Sequence, residues 1–85
     1  MIKCIGCKNK TDLLIAKYGI FITKGNKGTF LDYNHIAMIY IGRRRKMTII
    51  TTLHHMYPLR FYNSSQLNIA IDALQEQGVF VWRFK

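Results

Sequence analysis

Three short stretches carry residues whose type and spacing bear on chemistry. They are Cys4 and Cys7 in CIGC, the adjacent pair His54 and His55, and the four consecutive cations Arg43 to Lys46 in IGRRRKMTII. A C-x-x-C pair offers half of a structural zinc site or a redox dithiol. Structural zinc takes four protein ligands, and beyond the cysteines only His35, His54 and His55 remain to supply them. Adjacent histidines on a strand point to opposite faces, so they cannot close such a site together. A redox dithiol calls for a βαβ setting, which the flanking sequence lacks. The pair therefore reads as two ordinary cysteines, with no metal and no cofactor.

Catalysis finds no constellation to stand on. The carboxylates Asp12, Asp32, Asp72 and Glu76 are scattered, and GNKGT, residues 25 to 29, lacks the order of a phosphate-binding loop. No catalytic residue is assigned, and the chain reads as a non-enzyme.

The cations are a different matter. Thirteen Lys and Arg stand against four Asp and Glu, a formal charge of +9 with a pI near 10. For a folded domain that balance points to a polyanion, nucleic acid first and an anionic membrane surface second. Residues 63 to 78 hold Asp72 and Glu76 and no base, a net of −2, so the remainder of the chain carries +11. The cations gather at breaks in the pattern. Lys24 and Lys27 flank the GNKG turn, Arg43, Arg44, Arg45 and Lys46 form a hairpin tip, and Lys3, Lys8 and Lys10 lie near the N-terminus. Taken alone, RRRK is a solvated tip that guards a sheet edge against aggregation. Four adjacent cations also repel one another, a cost that a bound polyanion relieves.

The elements that must position these residues are mostly strands. Hydrophobic content of 49% with 13% aromatics argues for a folded chain, and 85 residues make one domain. LLIAKY and GIFITK read as strands, GNKG as a turn, and residues 29 to 31 as a short return strand. HIAMIYIG is almost continuously apolar, as in a strand covered on both faces. MTIITTLH alternates with period two and completes a hairpin across RRRK. Pro58 belongs at a strand start or an edge, with LRFY a short strand behind it. Asn63 can cap a helix, with Gln66 three positions on as in a capping box. Leu67, Ala70, Ile71 and Leu74 then form one helical stripe, and Gly78 ends it.

VFVWRF closes the sequence as a strand. Phe80, Trp82 and Phe84 share one of its faces, where core packing is the expectation. The competing use is a base-stacking platform for single-stranded nucleic acid. The fold class is α+β, mostly antiparallel β in a bent sheet or partial barrel, with one C-terminal amphipathic helix followed by a strand. Residues 1–11 read as a basic arm and 12–85 as the domain. No apolar run reaches the length of a membrane span, and a reducing cytoplasm is the expected compartment.

From residue 32 onward, the order of elements resembles the LytTR-type DNA-binding domain of bacterial response regulators. Ile36 to Ile41, Met47 to Thr52 and Leu59 to Tyr62 look like its strands, and Ser65-Gln66-Leu67 through Leu74 looks like its capped helix. Phe80 to Lys85 takes the place of its last strand, with Phe84 and Lys85 where the family has His-Arg-Ser. The resemblance implies a transcription-regulator-like protein that binds duplex DNA through loops. It puts His54, His55, the lead-in from Tyr62 to Ser65 with Asn63, and Arg83 and Lys85 at the base-reading positions. Arg43, Arg44, Arg45, Lys46, Lys24 and Lys27 are the expected phosphate contacts. The capped helix and D-Y-N-H-I also resemble a bacterial pleckstrin-homology-like domain, which implies docking on an acidic protein or an anionic lipid surface. Open backbone at residues 59 to 62 or 79 to 84 would allow a homodimer through an edge strand.

Overall fold

Period-two alternation decides which side of each strand turns inward, and the computed structural model, which describes residues 3–83, obeys it in two four-stranded sheets. The first sheet is a meander of β1 (Lys3–Cys7), β2 (Thr11–Ile15), β3 (Gly19–Lys24) and β4 (Lys27–Asp32). Ile5, Cys7, Leu13, Ile15, Ile20, Ile22 and Leu31 face inward and are buried. The segment expected as a basic arm is thus the first strand of a sheet, with Cys4 opposite Leu14 and Ile5 opposite Leu13. Its short alternation, in which Ile5 and Cys7 turn inward, is too brief to stand out between lysines. β4 also begins earlier than expected, at Lys27.

The second sheet has the order β7-β6-β5-β8, built from β5 (Ile36–Ile41), β6 (Lys46–Thr51), β7 (Met56–Arg60) and β8 (Val81–Arg83). β5, β6 and β7 pair antiparallel, while β8 lies parallel against the other side of β5. β5 is not covered on both faces: Ile36, Ile39 and Ile41 are buried, whereas Ala37 is exposed and Met38 and Tyr40 are half-buried. Pro58 sits inside the edge strand β7, where its missing N–H interrupts no ladder between inner strands. The sheets are not closed into a barrel. They meet where Cys7 bridges Phe61 and the Lys8 N–H donates to the Arg60 carbonyl at 2.8 Å. On the opposite side, the Tyr33 hydroxyl donates to the Ala16 carbonyl.

The helix α1 (Ser64–Glu76) is set by its cap and its stripe. The Asn63 side chain accepts the Gln66 N–H at 2.9 Å, but the Gln66 side-chain oxygen is buried without a partner, so only half of the capping box forms. Leu67, Ala70, Ile71 and Leu74 are buried in one cluster with the inward residues of both sheets. Gly78, at φ +82°, turns the chain out of the helix, a conformation that glycine adopts without strain. Val79 then enters the core. This reverses the expected orientation of the last strand. Val79 faces inward with Val81 packed against the core, and Phe80 and Trp82 face outward, 59% and 46% exposed. Both parities of VFVWRF are apolar, so alternation alone cannot choose a face. Phe84 and Lys85 lie outside the described residues.

Candidate nucleic-acid interface

Meander connectivity brings three hairpin tips to one end of the molecule. The β1–β2 tip turns at Asn9 and Lys10, the β3–β4 tip at Gly25 and Asn26, and the β5–β6 tip at Arg44 and Arg45. The Gly25 N–H donates to the Lys10 carbonyl at 3.2 Å, which ties the first two tips together. The third is held beside them through β7: the Phe61 N–H donates to the Arg45 carbonyl at 3.1 Å, while Arg60 receives Lys8. A cleft of about 230 Å³ opens where they converge, with Lys8, Lys24, Lys46 and Arg60, from four different segments, on its walls beside Asn9 and Thr11. A second opening, lined by Tyr40, Arg43, Arg44, Lys46 and Arg60, continues the basic surface around the third tip. Among the described residues, no carboxylate lines either one.

Two features show that this pole is energetically uncomfortable by itself. Like charges stand directly opposite each other at both sheet ends, Lys24 against Lys27 and Lys46 against Arg60, an arrangement that destabilises a strand pair. The tip turns are also made from unfavourable residues. Arg44 and Arg45 both sit at φ +58°, in the left-handed region that a two-residue hairpin turn of this kind demands and that Asn-Gly fills best. A non-glycine residue pays roughly 1–2 kcal/mol to be there. Lys10, at φ +56°, does the same on the first tip, following Asn9 at φ +66°.

The expected contacts distribute unevenly. Arg43, Arg44, Lys46, Lys24 and Lys27 are exposed at the pole. Arg45 is half-buried and its Nε donates to the Phe61 carbonyl at 3.4 Å, so it fastens the tip to β7. His54 and His55 do not belong to the same surface. They follow the far end of β6, which runs away from the tip for six residues, roughly 20 Å at the rise of a strand. There the backbone N–H of His55 bonds the Thr51 hydroxyl at 3.0 Å. Asn63 is occupied as the helix cap, and the Arg83 guanidinium donates to the Asn68 side chain at 3.2 Å. Lys85 lies outside the described residues. Lys8 and Lys10, expected on an N-terminal arm, join the pole, and so does Arg60, which is not among the expected contacts. A strand starting at Leu59, as the sequence suggests, hides the register of Arg60 opposite Lys46, which the strand from Met56 reveals.

The cysteines are separated by the sheet. Cys4 faces out and Cys7 is buried. Burial, reinforced by the nearby Asp12 carboxylate, pushes the Cys7 thiol up to about 11, so it stays protonated at neutral pH. No group of three or more His, Cys, Asp or Glu among the described residues is arranged to hold a metal ion. Compared with known proteins, the chain matches no family model and no curated sequence.

Proposed function

We propose that this domain binds nucleic acid by gripping its phosphates at the basic pole. The observation that carries the reading is the convergence of three hairpin tips on one carboxylate-free cleft, with two like-charge pairs held face to face. Cations that a fold forces together are partly relieved when an anion enters. Strain tolerated at such a site argues for a use that outweighs it. Phosphate contacts set affinity and register but carry no sequence information, so the pole by itself treats duplex and single strand alike. Duplex DNA is the form implied by the LytTR resemblance. An acidic protein or an anionic lipid surface is the alternative partner of the same charge.

The test is fluorescence anisotropy of a labelled mixed-sequence duplex at low salt. The triple variant Lys24→Gln/Lys46→Gln/Arg60→Gln is expected to bind at least about tenfold more weakly and to flatten the slope of log K against log salt by about 3. His54→Ala/His55→Ala, at the far end of β6, is expected to bind as the parent does. Equal loss in both variants would contradict a localised pole, and unchanged binding in the triple variant would end the reading.

A further inference from the structure

The outer face of the second sheet adjoins the pole and has an order of its own. Its first row, next to the third tip, is Lys46 opposite Arg60. The next row across the sheet is Trp82, Tyr40, Thr48 and Pro58 in register. Tyr40 and Trp82 are stacked, with ring centroids 5.0 Å apart and planes inclined by 20°, and Trp82 remains 46% exposed. Phe80, more exposed still, lies two positions before Trp82 in the chain. No Asp or Glu occurs between Asp32 and Asp72, so β5, β6 and β7 contribute no carboxylate to this face.

We infer that this face takes the unpaired bases of a single strand whose phosphates lie on the cation row, with one base stacking on Trp82. This rests on the phosphate-gripping reading of the pole and names the form of nucleic acid it holds. The rows are two residues apart, roughly 6.6 Å along a strand, so a backbone on Lys46 and Arg60 leaves its bases over the aromatic row. A duplex buries both faces of every internal base and offers the rings nothing to stack on. A single strand exposes them, and aromatic platforms beside a cationic groove bind such strands with little sequence preference. The Tyr40–Trp82 pair is already parallel, so an incoming base extends an existing stack. Exposed aromatics next to cations also suit an anionic lipid surface. The next row on this face, Met38, Ile50 and Met56 in register, is apolar as well, so what favours the flat ring of a base over acyl chains is the parallel Tyr40–Trp82 stack, which a base continues and an acyl chain does not.

Trp82 is the only tryptophan, so its fluorescence reports on this face alone. The experiment titrates the protein with oligothymidylate, with an abasic oligomer of the same length, and with vesicles containing anionic lipid. Oligothymidylate is expected to quench the emission and to bind roughly 5- to 150-fold more tightly than the abasic oligomer. In Trp82→Ala, whose folding is checked by its melting transition, the two oligomers should bind nearly alike. If both oligomers bind the parent protein equally and the emission is unchanged, the base-stacking inference falls while the phosphate grip stands. A blue shift with vesicles and no quenching by oligothymidylate likewise overturns it, in favour of a lipid surface. If no oligonucleotide binds at low salt, the phosphate grip itself has failed.

Discussion

At the scale of single residues, the burial of Cys7 has a consequence for pH. Its thiol is held up at about 11 in the folded protein against an ordinary value of 9.0, first by burial and then by Asp12 and Cys4. Between these values the unfolded chain loses the proton and the folded chain keeps it. The folded state therefore binds more protons there, and stability falls as pH rises through that window. Well below pH 9 both states keep the proton and this contribution is constant. Tyr33, whose hydroxyl is also pushed up by burial, adds to the same alkaline loss at the top of the window. Chemical denaturation from pH 8 to 11 should show stability declining above pH 9, with a shallower decline in Cys7→Ala. An equal slope in that variant would place the loss elsewhere. The same burial separates the two thiols: Cys4 is open to reagents and Cys7 is not, which leaves CIGC unsuited to act as a dithiol in the folded state.

At the scale of elements, the hairpin tip is where charge and backbone are in conflict. Arg44 and Arg45 hold φ +58° although neither has the side chain such a turn prefers. Arg44→Asn should raise stability by about 1 kcal/mol, because Asn tolerates the left-handed region, and should weaken binding to an oligonucleotide. Melting temperature and affinity would then move in opposite directions. A variant that is both no more stable and no weaker in binding would show that the tip is an ordinary solvated turn. Much of this level was legible in the sequence. The stripe Leu67, Ala70, Ile71 and Leu74, the Asn63 cap and the RRRK tip all follow from local spacing, and local spacing is what alternation and capping encode. The last strand was not legible. VFVWRF is apolar on both parities, and the side that packs is chosen by α1 and β5 through Val79 and Val81. Nor does local pattern reveal that β8 runs parallel to β5, since that pairing depends on how the helix returns the chain.

At the scale of the molecule, the fold explains why cations scattered from Lys8 to Arg60 act as one surface. In a meander, alternate turns fall at the same end, so the tips following β1, β3 and β5 converge, while the turn holding His54 and His55 falls at the other end of β6. The sequence shows that loops are basic. It does not show which loops share an end, because that follows from strand count and direction. The first strand matters most here. Reading residues 1–11 as an arm leaves Lys8 and Lys10 unplaced, whereas β1 sets them beside Gly25 and Arg60. The acidic helix, with Asp72 and Glu76 on its exposed side, adds no cation to this convergence.

The central claim is that these tips form one phosphate-binding unit, and the salt dependence of binding tests it most directly. Six cations engaged together predict a slope of log K against log salt of about −5 on duplex DNA and about −4 on a single strand. Neutralising charges at any one tip should reduce that slope in proportion to the charges removed. A slope near zero on both forms, or one unaffected by removing the charges of the pole, would contradict the account.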